Sequence, residues 1–362
     1  MNNIPSLHIV ASKEMGGAER WFVRFLRAML RQGQQVEAVV RTGSELARRH
    51  LEGIPTMESP MRTVWDPWSR YRLGKLVRAS GAPIVQTYMG RATRLTHLPL
   101  GGGQVHVSRL GGYYRIGPFR HAHAWIGNTR GLCDWLVQQG LPASRVFHIY
   151  NFADPAKAVD AARMAALRER IQASPEDFLM VTAGRLIDVK GHRFLVDAMA
   201  RLPEQVSGRR PRLLVLGDGP LLASLQEQAR QRGVARRIMW LGWQHEPAPW
   251  FHLADMVVFT SRDAETLGNV ILEAWAYGKP LLTTSFRGAR EIARHGEDAW
   301  TVPCDDVPAL AAGMEAMMRD GALAAKMVVA GLERVKTDFS EATIIAQYQA
   351  LYRQLLEGGR HG

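Results

Sequence analysis

Two glutamates eight residues apart are the first candidates for chemistry in this sequence. Glu265 lies just ahead of an apolar run and Glu273 lies within it, in DAETLGNVILEAWAYGKP. Eight helical residues cover about two turns plus ~80°, so the two carboxylates share one side at different heights. We expect them to hold two parts of one elongated ligand, because a glycosidase pair would have to flank a single bond. The alternative is an ordinary helical glutamate and a partner for the helix dipole.

Two further loops carry groups that suit a phosphate. Arg185 and Lys190 follow an apolar run in AGRLIDVKG, where two cations can clamp a diphosphate and neutralise the charge that grows as it leaves. Gly16 and Gly17, in EMGGAER, let bare backbone N–H groups approach a ligand at the positive end of a helix. The alternatives are a solvated basic loop at the first position and a turn with positive φ at the second.

The elements that must position these loops alternate along the whole chain, short β-rich runs with helix-length amphipathic segments. This pattern is typical of parallel βαβ units with helices on both sheet faces. The predicted strands are LHIVAS, VEAVV, PIVQTY, QVHVS, AWIGNT and RVFHIYN in a first series, and FLMVTAGR, RLLVLGDG, RIMWLGW, MVVFTS and KPLLTTS in a second. The predicted fold class is α/β with two Rossmann-like doubly wound domains, which bind ligands beyond the carboxyl ends of their strands.

Helix boundaries follow from capping residues and glycines. The first helix is predicted over AERWFVRFLRAMLRQG and ends at Gly33, and Pro220 in GDGP is predicted at a first helical position. Thr266 or Asn269 is predicted to cap the helix that contains Glu273.

The length of 362 residues and the apolar content of 46% favour two domains of ordinary size. Residues 151–177 interrupt the rhythm with Pro, Ala and charge, and we interpret them as the interdomain connection. The predicted domains are residues 1–172 and 173–338, followed by an amphipathic helix over 339–362. Its apolar stripe needs a surface to cover, and contains Ile344, Ile345, Tyr348, Leu351, Tyr352 and Leu355.

The formal charge of +12 is concentrated in the first domain, where residues 1–172 hold 24 Lys and Arg against 11 Asp and Glu. Such asymmetry indicates an anionic partner, either nucleic acid or a lipid headgroup surface, unless it reflects a generally basic proteome. Cys133 and Cys304 lie far apart and suggest no disulfide framework. Without a targeting pattern or a run of ~18 apolar residues, we expect a cytoplasmic protein, soluble or peripheral to a membrane.

Metal ligands are not evident in the sequence. No Asp-x-Asp element adjoins the candidate diphosphate loops, and CDD at 304–306 is predicted to cap a late helix. The twelve histidines show no metal spacing. We expect activity without a metal ion or other cofactor.

The order and spacing of these motifs resemble the retaining glycosyltransferases of family 4, which have the GT-B fold. The match runs the length of the chain, and its Glu-x7-Glu element is specific. The resemblance implies two Rossmann-like domains that face each other across a cleft, with the C-terminal helix crossing back to the N-terminal domain. The residues that carry it are GGAER at 16–20, HIYNFAD at 148–154, AGRLIDVKG at 183–191, LVLGDGP at 214–220 and ETLGNVILE at 265–273.

The resemblance further implies a nucleotide-sugar donor bound mainly by the C-terminal domain and an acceptor held by the N-terminal domain. Glu273 would bind the ribose hydroxyls, and Glu265 would bind the transferred sugar. The loop between them would add donor contacts, through the backbone N–H groups of Thr266, Leu267 and Gly268 and through Asn269.

Arg185 and Lys190 would bind the diphosphate, which Gly16 and Gly17 would approach from the other domain. The leaving diphosphate itself would take the acceptor's proton on the same face of the sugar, so no dedicated nucleophile is needed. A hexose carried by UDP is the expected donor, and a lipid-linked or lipopolysaccharide-core glycan is the expected acceptor.

The chain departs from the family pattern where many members have a histidine near the reacting sugar, in the loop after an N-domain strand. Here the sequence reads QVHVSRLGGYYRIG, and Arg109 is the nearest equivalent by register. We predict Arg109 near a donor or acceptor phosphate, and His106 as a packed strand residue. Trp243 in WLGWQHE would lie near the nucleotide base, where it either stacks or fills core.

Residues 60–78, PMRTVWDPWSRYRLGKLVR, combine basic and aromatic side chains that suit the headgroup layer of an anionic membrane. We hypothesise that the first domain docks on the inner leaflet of the cytoplasmic membrane and receives its acceptor there. The alternative is an ordinary helix whose aromatic side chains lie in the core. The side chains concerned are Arg62, Arg70, Arg72, Lys75 and Arg78, with Trp65, Trp68 and Tyr71.

Other functions fit less well. A sugar-nucleotide epimerase would need acid and base residues around the sugar, and a phosphorylase would need a cofactor lysine; neither motif is evident. A nucleic-acid-binding protein would be expected to show a recognition module or a regular basic and aromatic groove. The leading interpretation is a retaining glycosyltransferase with no nucleic-acid partner.

Overall fold

The structure, a computed structural model, describes residues 3–358. The chain forms two compact units: unit 1 comprises residues 1–151 and 341–362, and unit 2 comprises residues 152–340. Residues 359–362, which were predicted to belong to the last helix, lie outside the described residues.

Each unit contains one parallel β-sheet. In unit 1 the strand order is β3-β2-β1-β4-β5-β6-β7, and in unit 2 it is β10-β9-β8-β11-β12-β13. The strands are β1 Ser6–Val10, β2 Val36–Arg41, β3 Thr56–Ser59, β4 Ile84–Tyr88, β5 Val105–Leu110, β6 Ala124–Gly127, β7 Val146–His148, β8 Asp177–Ala183, β9 Arg210–Leu216, β10 Ile238–Gly242, β11 Met256–Phe259, β12 Leu281–Thr284 and β13 Trp300–Val302.

Crossover segments connect the parallel strands; most contain an α-helix, and the one between β5 and β6 contains only a 3₁₀ turn, Gly117–Phe119. The helices are α1 Gly17–Arg31, α2 Glu45–Arg49, α3 Pro67–Ser80, α4 Met89–Leu95, α5 Arg130–Gln138, α6 Ala161–Arg170, α7 His192–Arg201, α8 Leu222–Gln231, α9 Ala248–Leu253, α10 Asn269–Ala276, α11 Arg287–Ile292, α12 Val307–Arg319, α13 Gly321–Thr337 and α14 Glu341–Gly358. The predicted α/β class with two Rossmann-like sheets is confirmed.

The last helix, α14, belongs to unit 1. Its predicted apolar stripe is buried in full, and the Tyr348 ring lies 4.4 Å from that of Phe25 on α1. At the first turn, Glu341 forms an ion pair with Arg31 at the end of α1. A helix distant in sequence thus covers one side of the first sheet, which is the surface that the stripe was predicted to need.

Three local predictions differ from the structure. The short edge strands β3 and β13 were not predicted. Pro220 precedes the N-cap of α8, Leu221, and is not the first helical residue. The division between units falls after residue 151, where the sequence placed a boundary at 172, because α6 packs against α9 of unit 2.

Candidate functional site

The candidate donor-binding residues of unit 2 lie on loops, and on the helix α10, beyond one edge of its sheet. β8 is central, with β9 on one side and β11 on the other. Because these strands are parallel, their carboxyl ends meet at the edge where α/β sheets bind ligands. The structure therefore brings together the loops that the sequence singled out after these three strands.

The loops after β8 and β9 are joined through their backbones. Leu186 N donates a hydrogen bond to Asp218 O at 2.9 Å. A Cβ atom at Gly219 would lie 2.6 Å from Leu186 O, so only glycine permits this approach. The contact fixes the loop that carries Arg185 and Lys190.

Lys190 and Glu265 form an ion pair across 75 residues of sequence. Lys190 Nζ lies 2.5 Å from Glu265 Oε2, and the two side chains are 20% and 17% exposed. Ser261 Oγ donates to the same oxygen at 3.3 Å, and the ammonium lies 5.1 Å from the centroid of the Phe259 ring. Partial burial strengthens the electrostatic interactions of both groups relative to water.

Arg262 ties the loop of Lys190 to the loop of Glu265, and no role was predicted for it from the sequence. Its Nε and Nη2 donate to Asp305 at 3.0 to 3.1 Å, and its Nη1 donates to Asp188. The bonds to Asp305 and then Asp188 raise the pKa of Arg262. Both partners are distant in sequence, so no local pattern distinguishes Arg262 from other arginines.

Close packing shapes the loop that follows Glu265. Gly268 has a φ of +72°, and a Cβ atom there would lie 2.7 Å from both the Phe259 and Phe286 rings. A Cβ atom at Gly288 would lie 1.8 Å from Thr266 O. Glycine is therefore required at both positions, and the backbone of this loop is held in one place.

Glu273 lies in the second turn of α10 and is half-buried. The N-cap of this helix is Gly268, which offers no side-chain hydrogen bond, and Asn269 is the first helical residue. The predicted capping by Thr266 or Asn269 was therefore wrong, because a left-handed glycine ends the loop instead. Burial raises the pKa of Tyr277, one turn beyond Glu273, and the Glu273 charge adds to this shift.

Arg185 and Trp243 are exposed on loops at the same edge of the sheet. Arg185 is on the loop after β8, five residues before Lys190. Trp243 directly follows β10 and is 39% exposed, so it does not fill core. Their contacts with a diphosphate and a base remain predictions.

In unit 1, Gly16 is the N-cap of α1 with a φ of −139°, so the alternative of a positive-φ turn was wrong there. A Cβ atom at Gly17 would meet no atom within 4 Å. Glu19, in the first turn of α1, is buried and accepts a hydrogen bond from Ser12 Oγ. Glu19 lies within GGAER, but no role was predicted for it; its burial near a positive helix end is the feature that the sequence did not reveal.

Arg109 lies on β5 itself and is 4% exposed. Its Nε donates to Tyr348 OH at 3.2 Å, its Nη2 donates to Asn151 Oδ1, and its guanidinium lies 4.7 Å from the Trp21 ring centroid. The bond to Tyr348 ties Arg109 to α14, and burial and pairing correct the expectation of an Arg109 side chain in a loop. Its contact with a phosphate remains only a prediction. His106, also on β5, is a packed strand residue.

Within residues 3–358, no group of three or more His, Cys, Asp or Glu side chains is arranged to hold a metal ion. Asp306 accepts a hydrogen bond from Ala309 N at 2.9 Å and caps α12, as predicted for CDD. Metal independence itself remains a prediction.

An aromatic–basic surface covers α3 and the segment before it. Trp65, Trp68 and Tyr71 are 76%, 59% and 60% exposed, so the alternative that they fill the core was wrong. Trp68 stacks on Tyr71 at 5.8 Å, and the Arg94 guanidinium lies 4.7 Å from the Trp65 ring centroid. Five basic side chains beside them are also exposed, namely Arg62, Arg70, Arg72, Lys75 and Arg78.

Among the described helices, none is both long and apolar enough to cross a membrane.

Comparison with known proteins first defines the class. A crystal structure of Alr3699/HepE from Anabaena, in complex with UDP and glucose, matches with a TM-score of 0.82 at 18% identity, covering 97% of this chain and 100% of that one. The fold is the GT-B fold of glycosyltransferases.

The family follows from sequence. Family models described as Glycosyltransferase Family 4 and Glycosyl transferases group 1 match residues 15–157 and 177–320. The chain is 30% identical over 342 residues to the lipopolysaccharide core biosynthesis glycosyltransferase LpsE of Rhizobium meliloti, covering 93% of this chain and 95% of LpsE. It is 27% identical over 351 residues to LpsD of the same organism, covering 96% and 97%. The chain belongs to glycosyltransferase family 4.

Proposed function

We propose that the protein is a retaining glycosyltransferase that moves a hexose from UDP to a lipid-linked or lipopolysaccharide-core glycan. Two curated relatives matched over nearly the whole chain act in lipopolysaccharide core biosynthesis, which supports the acceptor class. A neighbour in fold binds UDP and glucose, which supports the donor class.

The observation that carries the proposal is the Lys190–Glu265 pair at the carboxyl edge of the second sheet. A cation and a carboxylate 2.5 Å apart match the junction of a diphosphate with a sugar, where phosphate oxygens accept and sugar hydroxyls donate. Arg185, on the same loop as Lys190, adds a second cation for the diphosphate.

The donor extends from this junction along α10. The backbone N–H groups of Thr266, Leu267 and Gly268 bind the sugar beside Glu265, and Asn269 begins the helix next to them. Glu273, one turn further along, accepts hydrogen bonds from the ribose hydroxyls. Trp243, exposed after β10, is available to stack on the base.

The reaction breaks the bond between the anomeric carbon and the diphosphate oxygen, and the electron pair stays with that oxygen. The acceptor hydroxyl attacks the anomeric carbon on the same face, and its proton passes to the departing diphosphate. The products are the glycosylated acceptor, with configuration retained, and a nucleoside diphosphate. Arg185 and Lys190 stabilise the departing charge, and neither a metal ion nor another cofactor takes part.

The acceptor arrives at a membrane. The aromatic–basic surface of unit 1 combines three exposed rings with five exposed cations, a composition that binds anionic headgroups. We infer a protein of the cytoplasm that is peripheral to the inner face of the membrane.

Thermal unfolding with a panel of nucleotide sugars tests the donor. A ligand that binds only the folded protein raises its Tm, and UDP-hexoses should give the largest shift. Glu273→Ala should abolish this shift, and Glu333→Ala, an exposed-face change on α13, should leave it intact. An unchanged shift in Glu273→Ala would remove the ribose assignment.

A further inference from the structure

The Lys190–Glu265 pair leaves one carboxylate oxygen unused. Lys190 Nζ and Ser261 Oγ both donate to Oε2, and no described residue donates to Oε1. The Glu265 side chain is only 17% exposed, so the carboxylate is partly withdrawn from solvent. Because an ionised carboxylate offers about four acceptor sites, a hydroxyl group that reaches Oε1 improves the site.

A diphosphate bound to Lys190 perturbs this pair. A phosphate oxygen at hydrogen-bond distance from Nζ lies within roughly 6 Å of Glu265 Oε2, so two like charges share one cation. The place is partly desolvated, and their repulsion is screened less than in bulk water. A bare nucleoside diphosphate meets this repulsion without any hydroxyl that binds the carboxylate, whereas an attached sugar donates hydroxyl hydrogen bonds to it.

We propose that the Lys190–Glu265 pair makes the site favour the complete nucleotide sugar over the nucleoside diphosphate product. This inference rests on the proposed function and gives Glu265 a role beyond sugar contact, because its charge helps to expel the product once the sugar has left. The pair therefore lets the site distinguish a donor that still carries its sugar from the nucleoside diphosphate that remains after transfer.

Glu265→Gln tests the proposal, with UDP and UDP-glucose as probes in titration calorimetry. The amide keeps the shape of the side chain and removes its charge. UDP should gain affinity relative to UDP-glucose, so that the ratio of the two Kd values changes by about tenfold, the effect of one charge-assisted hydrogen bond. An unchanged ratio would overturn the proposal.

Two further variants separate this change in the Kd ratio from a general loss of binding or folding. Glu273→Gln, the same change eight residues along, should weaken both probes equally, because the ribose is common to them. Lys190→Met leaves the Glu265 charge uncompensated, so UDP should lose more affinity than UDP-glucose; this variant carries the test if Glu265→Gln does not fold.

Binding of the two probes to the wild-type protein distinguishes failure of the proposed function from failure of the specificity role alone. If folded wild-type protein binds neither probe, the proposed UDP-linked donor fails, and this inference fails with it. If both probes bind and neither variant of the pair changes their ratio, the proposed function stands and only the specificity role of the pair is wrong.

Discussion

Units 1 and 2 arrange their strands in the same order, third, second, first, fourth and onward, and unit 1 adds a seventh strand at the far edge. Their charges differ sharply. Unit 1 contains 22 Lys and Arg against 10 Asp and Glu, a formal charge of +12, whereas unit 2 contains 24 of each. One backbone plan therefore supports a cationic unit and a neutral one.

The polar groups of the two units are also used differently. In unit 1 a neutral network is buried in the core, where His8 Nδ1 meets Tyr88 OH at 3.1 Å and Tyr352 OH donates to Gln86 at 2.8 Å. In unit 2 charged groups pair at the ligand-binding edge, as in the Lys190–Glu265 contact. We propose that donor chemistry depends on a few loop side chains of unit 2 and docking on a surface of unit 1, while the sheets position them.

The largest effect is expected at Lys190. Lys190→Met should lower kcat by on the order of a hundredfold or more, because it removes a cation that stabilises the departing diphosphate. Steady-state kinetics with a soluble acceptor measures this, and Lys326→Met, an exposed change on α13, is the control. Equal activities of the two variants would show that unit 2 does not use this edge for transfer.

The next effect concerns unit 1 and the membrane. Arg62, Arg70 and Arg72 changed together to Gln should weaken binding to anionic vesicles by about a hundredfold, at ~1 kcal/mol for each cation. Vesicle sedimentation at two salt concentrations measures this. The same change at the exposed Arg201, Arg236 and Lys326 of unit 2 should have little effect. Similar losses in both triple variants would contradict a docking role confined to unit 1.

Low pH should lower the stability of the fold through the buried histidines of unit 1. Burial lowers the pKa of His8 to about 3, so the unfolded chain, with a pKa near 6.5, binds the proton more readily. Stability that is present above pH 6.5 is lost as the pH falls toward 3, by up to about 1.4 kcal/mol per pH unit. Urea unfolding should therefore show a flatter pH dependence in His8→Gln than in the exposed control His245→Gln. Identical slopes would exclude a contribution from His8.

The smallest effect is expected at Arg262. Arg262→Gln should raise KM for the donor by up to about fivefold, since its ion pairs are partly exposed and worth roughly 1 kcal/mol. Arg262→Lys should restore part of this, and kcat should change little in either variant. A fall in kcat as large as that of Lys190→Met would place Arg262 in direct contact with the reacting groups.

The sequence predicted the parts of the fold that carry a periodic signal. Buried strands such as β8 contain short apolar runs, here Phe178 to Val181, and the stripe on α14 repeats at helical spacing. β3 escaped prediction because Thr56 and Glu58 are exposed and only Ser59 is fully buried, a pattern of short edge strands that apolar runs do not reveal.

The loops that carry the candidate site could be predicted from the sequence, but the contacts between their side chains could not. Strand adjacency, which no local pattern encodes, decides that Lys190 meets Glu265. Arg109 shows the same limit, since its partner Tyr348 is 239 residues away; the return of the C-terminal helix to the first domain was predicted, but not which of its side chains would meet Arg109. Arg262 needed both Asp188 and Asp305 in place before its role could be seen.

We propose that the carboxyl edge of the second sheet binds the diphosphate and sugar of the donor. A crystal structure of the protein with UDP-glucose would decide this. We predict diphosphate oxygens within hydrogen-bond distance of Lys190 Nζ and Arg185, a glucose hydroxyl on Glu265, and the ribose on Glu273. A diphosphate bound elsewhere, with the Lys190–Glu265 pair intact and untouched, would contradict the claim.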